Sequence, residues 1–148
     1  MRRYTDRHGQ EHVVEITLLT RRRILDAMEI DLVKCAHEDG ALRSMLDELS
    51  QDDTVWQMLS IIEGKPIETL MEAADGTTHE AASVALLGAI ADFFPQGSPL
   101  KAPILRLMER IQQAKATAEE VAREILMEIV EAVPINSEPI GAVVPTNG

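Results

Sequence analysis

The chain changes character near residue 24, and that break limits the folds open to it. Residues 1–23 carry six arginines against Asp6, Glu11 and Glu15, a net of +3, and end in Arg21-Arg22-Arg23. The remainder holds 8 Lys and Arg against 22 Asp and Glu, a net of −14, and the two stretches sum to the chain's −11. The first stretch reads as strand and turn, the second as helix after helix. A small basic β-element is therefore joined to an acidic helical body.

The β-element is legible from its turn. Asp6 and Gly9 fit the first and last positions of a type I turn, and the β-branched run His12-Val13-Val14-Glu15-Ile16-Thr17 that follows reads as a strand. With Tyr4-Thr5 before the turn, this predicts a hairpin. Two strands alone are marginal, so the hairpin must pack on helices or pair with another chain.

The body reads as a series of helices. Thr20 is a candidate N-cap for a helix from Arg21 that turns Ile24, Leu25 and Met28 inward. Residues 29–39 are ambiguous, with Leu32, Val33, Cys35 and Ala36 fit to continue that helix and His37 to Gly40 fit to end it. Leu42, Met45, Leu46 and Leu49 recur at helical spacing. Asp52 or Asp53 is then a cap for a helix carrying Val55, Trp56, Leu59 and Ile62, which Gly64 terminates, with Pro66 opening the next. Thr77 to Glu80 matches a capping box ahead of an apolar segment, Ala81 to Phe94. That segment is apolar nearly all round, the mark of a central buried helix, and Gly88 in it permits a close neighbour. Pro103 to Val133 reads as the longest helix. Its heptad seam runs through Ile104, Ile111, Ala118, Ile125 and Ala132 on one position and Leu107, Ala114, Val121 and Glu128 on the other, thin in the middle.

The predicted fold is mainly α, a helical domain with a short N-terminal β-hairpin and a disordered C-terminal tail. One α-rich domain covers 1–133, divided into the hairpin element (1–23) and the helical body (24–133). The tail is 134–148, where Pro134, Pro139 and Pro145 with Gly141 and Gly148 break regularity. Aromatic residues are 3% of a chain that is 45% hydrophobic, so the core must be aliphatic, with seven Met contributing.

Composition also limits function. Net charge −11 opposes broad contact with phosphate backbones. One cysteine, Cys35, excludes an internal disulfide and fits a reducing compartment. No signal-like apolar stretch opens the chain and none is long enough to span a bilayer, so a cytoplasmic protein without membrane association is expected.

The motifs of catalysis are equally sparse. His8 and His12 flank the turn beside Asp6 and Glu11, but no second cluster completes a zinc site, and turn-surface roles account for them. Helical geometry fans Arg21, Arg22 and Arg23 to different sides, which favours ion pairs with the acidic body over a phosphate site. His37 lies two residues from Cys35, which on a helix points elsewhere, so a buried thiol is expected. Asp52-Asp53 is explained by helix capping. Trp56 has apolar helical neighbours and is assigned to the core. No phosphate-cradling glycine loop, His-Glu-x-x-His or Gly-x-Ser-x-Gly occurs. No enzyme, cofactor or metal site is expected.

Two stretches together carry a family likeness. One is Tyr4-x-Asp6-x-x-Gly9 with Val13-Val14-Glu15-Ile16-Thr17 and Thr20-Arg21-Arg22. The other is Asp92-Phe93-Phe94-Pro95 closing an apolar helix, with the Leu42–Ile62 region between them. In this combination, over about residues 4–110, the chain resembles small proteins of tailed-phage and prophage clusters similar to tail assembly chaperones. The resemblance implies a non-enzymatic binding role in the host cytoplasm, covering apolar-faced helices of a tape-measure protein. On that reading the partner-contacting residues are Leu42, Met45, Leu46, Leu49, Met58, Met71, Phe93 and Phe94. The partner is a long helical phage tail protein, with self-association as a further expectation. The alternatives are a minor virion protein (a head–tail connector or tail-completion component) that offers the hairpin edge, and a small regulator that touches DNA through Arg21–Arg23.

Overall fold

Asp6 closes the hairpin of β1 (Arg2–Thr5) and β2 (Glu11–Val14) through both its backbone and its side chain. The computed structural model describes the backbone of residues 1–146 and the side chains of residues 1–51 and 53–128. Gly9 N–H donates to the Asp6 carbonyl at 3.0 Å, as a turn over 6–9 requires, and Asp6 N–H donates to Gln10 O at 2.9 Å. Gly9 sits at φ 82°, a conformation that costs glycine little. Asp6 Oδ1 accepts the N–H groups of His8 and Gln10 at 2.9 and 3.0 Å. The antiparallel register pairs Arg2 with Val14 and Tyr4 with His12. Side chains alternate across a strand, so Tyr4, His12 and Val14 are buried while Arg3, Thr5, Glu11 and Val13 face outward. β2 ends at Val14, short of the run expected to Thr17, because Thr17 is used as a helix cap.

Seven helices follow among the described residues. Helix α1 (Leu18–Met28) begins three residues before the expected Arg21, because Thr17 and not Thr20 is its N-cap and accepts the Thr20 N–H. It ends at Glu29, which adopts the left-handed conformation at φ 59°. The ambiguous stretch resolves into a short α2 (Leu32–Cys35), capped by Asp31, which accepts from Val33 and Lys34 and pairs with Arg21 at 3.0 Å. Helix α3 is Asp39–Leu49. Helix α4 (Asp52–Glu63) has Gln51 at its N-cap with no side-chain cap bond, so Asp52 and Asp53 fall inside the first turn and not at the cap. There Asp53 meets the positive end of the helix dipole. Gly64 does end α4, at φ 68°, its N–H donating to Ser60 O. Pro66 is the N-cap of α5 (Ile67–Glu72).

Helix α6 (Gly76–Phe93) starts ahead of the expected capping box, since Asp75 is its cap and accepts from Thr78 N–H at 2.8 Å. Its buried residues include Ala82 and the unbroken run Ala85 to Ala91, so it is the central helix that its all-round apolar sequence predicts. Gly88 has the predicted close neighbour, Arg2. A Cβ at position 88 would come within 2.7 Å of Arg2 Nε. The guanidinium crosses this gap to Asp92, one turn on, with bonds of 3.0 and 3.2 Å. After α6, Ser98 Oγ donates to Ala36 O at 3.2 Å and ties the proline-rich connection to the end of α2.

Helix α7 spans Lys101–Thr146, past Val133, and the expected tail over 134–148 lies outside the residues whose side chains are described. Two compact units result, Met1–Ile111 and Gln112–Gly148. In the first, α7 buries Ile104 and Met108 in the core and packs Leu107 and Ile111 against it. In the second, Val121, Ile125, Leu126 and Met127 are exposed. No helix among the described residues is long and apolar enough to cross a membrane.

A buried polar cluster fastens the hairpin to α4. His12 Nδ1 lies 2.6 Å from Glu63 Oε1 and His12 Nε2 lies 2.8 Å from Asp6 Oδ2. Both ring nitrogens are thus engaged by carboxylate oxygens. Tyr4 Oη donates to the other Glu63 oxygen at 2.6 Å. The Tyr4 ring stacks on His12 at 4.7 Å and meets Trp56 edge-on at 6.4 Å. Lys65 Nζ stands 3.8 Å from Glu63 Oε1 at the wet side. Burial and the neighbouring Glu63 drive the Tyr4 hydroxyl far above its ordinary pKa, so it stays a donor.

Removing His12 leaves Glu63 and Asp6 buried without the ring that bridges them. His12→Leu is expected to cost about 3–5 kcal/mol and Tyr4→Phe about 1.5–3 kcal/mol in urea unfolding. Arg3→Ala, which breaks only the exposed pair with Glu11, is expected to cost at most about 1 kcal/mol. Equal losses for all three would contradict a latch at Glu63.

Acid sensitivity follows from Asp6. The hydrogen bond from His12 holds its carboxyl below the usual range, against the opposing effect of burial and with help from the Gln10 and His8 N–H groups. A lowered folded-state pKa adds stability above the unfolded value, about 4, which is lost as pH falls through the folded value. Asp31, Asp75 and Asp92 are lowered too and share this acid limb. Unfolding free energy should therefore fall below about pH 4, and Asp6→Asn should flatten that fall without abolishing it. An unchanged acid slope in the variant would remove Asp6 from the account.

Candidate functional site

The aliphatic core is open along one side. Helices α3, α4, α6 and the first turns of α7 leave a groove of about 610 Å³. Its floor and walls are Leu46 and Leu49 from α3, Val55 from α4, Leu86 and Leu87 from α6, and Leu107 and Ile111 from α7. Its rim is polar, with Asp47, Ser50, His79 and Ser83 on the α3 and α6 sides and Arg106 and Arg110 on α7. Helical periodicity puts Arg106 and Arg110 one turn apart, so they form a basic ridge beside an apolar trough.

The groove gathers only two of the residues expected to contact a partner. Leu46 and Leu49 line it. Leu42, Met45, Met58 and Phe94 are corrected to core residues, each no more than 2% exposed, because they occupy the faces of α3, α4 and α6 that meet within the body. Phe93 is half-buried against the same core. Met71 is 41% exposed and stands in a separate hollow with Trp56, Ala74 and His79. The sequence pattern did not mark Leu86 and Leu87, since α6 is apolar all round and no face of it stands out. Leu107 and Ile111 were visible as heptad positions, though not as a groove wall.

His12, Asp6 and Glu63 are close, yet both imidazole nitrogens are engaged and the ring is buried. No serine, threonine or cysteine side chain hydrogen-bonds to His12 among the described residues. His8 is exposed, and Glu11 is exposed and pairs with Arg3 at 2.8 Å, so the turn histidines share no site. No group of His, Cys, Asp and Glu among the described residues has metal-holding geometry. Cys35 is buried, its Sγ 3.4 Å from Ala41 O, and burial with nearby Asp31 pushes its thiol up to about 11. That thiol is a packing group at neutral pH. Trp56 is in the core, and its Nε1–H donates to His79 Nδ1 at 3.0 Å.

The arginines of the first strand and helix are largely engaged within the chain. Arg2 meets Asp92, Arg3 meets Glu11, Arg7 Nε donates to Glu72 O at 2.8 Å, and Arg21 meets Asp31. Arg22 and Arg23 are exposed on different positions of the turn. Comparison of the chain with family models, with curated proteins and with solved structures finds no match.

Proposed function

We propose that this chain is a non-enzymatic binding protein whose groove takes an amphipathic helix of a partner, in the manner of a phage tail assembly chaperone on a tape-measure protein. The observation that carries the helix-binding part is the open apolar groove. A trough of about 610 Å³ holds several aliphatic side chains at once, which is what anchors at i, i+3 or i+4 and i+7 require. Aliphatic lining without a fixed aromatic slot suits a family of related helices better than one small ligand.

The choice of partner rests on the resemblance over residues 4–110. Its motif residues have definite work in the fold: Tyr4, Asp6 and Gly9 build the hairpin and its latch, and Asp92 holds Arg2. They are the residues that present the body, and the groove is what the body presents.

Co-expression with a phage tape-measure protein tests the proposal. The expected result is a soluble, co-purifying pair. Leu49→Asp puts a charge in the trough and should weaken the pair about tenfold or more, with the helical circular dichroism unchanged. No co-purification and no gain in solubility would overturn the assignment.

A further inference from the structure

We propose that the helix taken by the groove is acidic along one flank, with its carboxylates set on Arg106 and Arg110. The inference rests on the helix-binding reading of the groove and adds the chemistry of the occupant. All the lining residues belong to the compact unit Met1–Ile111, so trough and rims are parts of one body.

The first observation is where the two guanidinium groups stand. On α7, Leu107 and Ile111 are half-buried in the trough wall, and Arg106 and Arg110 are exposed beside them on the rim. At 3.6 residues per turn, Glu109 falls farther round the helix, and it does not line the groove. The edge of the trough along α7 is therefore cationic over a full turn. Arg2, Arg3, Arg21 and Arg43 each meet a carboxylate of the chain at 2.8–3.0 Å. Arg106 and Arg110 make no such pair among the described residues, in a chain that holds 25 Asp and Glu.

The second observation is the opposite rim. There the Ser50 hydroxyl donates to Asp47 O and the Ser83 hydroxyl to His79 O, while His79 Nδ1 accepts from Trp56. These groups are used within the chain, and the charge on that side is the exposed Asp47 carboxylate. The groove is thus polarised across its width, cationic on α7 and anionic on α3. A helix with carboxylates on one flank satisfies the α7 side, and its other flank must be neutral or basic to lie beside Asp47. A helix with lysines on both flanks meets like charge at Arg106 and Arg110.

The net charge of −11 opposes an acidic partner at long range. Exposed charges more than about 10 Å apart are largely screened at 0.1 M salt, however, so the rim contacts decide. The aliphatic trough supplies affinity to any amphipathic helix, and the rim supplies the discrimination.

Fluorescence anisotropy of two labelled helical peptides on the full chain tests it. Both carry leucines at i, i+4, i+7 and i+11; one has glutamates along one flank and the other has lysines at the same positions. The same peptides with glutamine in place of leucine set the background. At physiological salt the glutamate peptide should bind about tenfold tighter, the size of two rim ion pairs. Arg106→Glu with Arg110→Glu, both at exposed positions, should reverse the order of the two peptides with the helical circular dichroism unchanged. Equal binding, tighter binding of the lysine peptide, or an order that the double variant leaves as it was would overturn the acidic flank and leave the groove a helix site. Binding of both peptides at background level would overturn the helix-binding reading, and this inference with it.

Discussion

Glu63 is where the strand part and the helical part of this chain become one structure. It is the last residue of α4, held in place by the Gly64 cap. One of its oxygens takes the Tyr4 hydroxyl and the other the His12 ring, so both strands of the hairpin end on a single carboxylate. A buried carboxylate is costly unless every lone pair is used. Here the cost is met by a phenol, the His12 ring and, at the margin, Lys65. The arrangement is directional where an apolar contact is not. It fixes the register of the hairpin on α4, and with it the approach of Arg2 across Gly88 of α6. The hairpin then braces the two helices that form one side of the groove.

Legibility in the sequence followed the range of the interaction. The turn at 6–9 and the Gly64 stop each reduce to backbone sterics at one position, and each was readable; Gly88 announced a close neighbour, but only the fold supplies Arg2 as that neighbour. The burial of α6 followed from the breadth of its apolar surface. The N-caps were misplaced for a different reason. Thr17 and Thr20, Gln51 to Asp53, and Asp75 to Thr78 are clusters in which several residues are competent to cap or begin a helix. Local chemistry ranks these choices within a few tenths of a kcal/mol, and the placement of the helix against its neighbours decides. At α4 the first turn even forms without a side-chain cap. Glu63 was invisible in the same sense: a lone glutamate before a glycine reads as a surface residue, and only the fold brings Tyr4 and His12 to it.

The expected contact surface failed on the same distinction. Leu42, Met45, Leu46 and Leu49 share a helical face, but a face wide enough to reach the core also has an edge that does not. Leu42 and Met45 lie at its centre and are buried, whereas Leu46 and Leu49 lie at its edge and line the groove. Periodicity gives the direction of a face and not its boundary. The boundary is set by which neighbours the helix meets in the fold, which no local pattern records.

Charge takes a different meaning once these contacts are placed. Arg2 and Arg21 meet Asp92 and Asp31 of the acidic body, so two of the three excess positive charges of residues 1–23 are neutralised within the chain, while Arg3 pairs with Glu11 inside the hairpin. What remains directional is the contrast along α7, basic where it borders the groove and acidic beyond. Exposed pairs contribute little to stability individually, so such a contrast has little use within one copy. On the proposed reading its consequence is selectivity, with an acidic amphipathic helix favoured over a basic one beside Arg106 and Arg110.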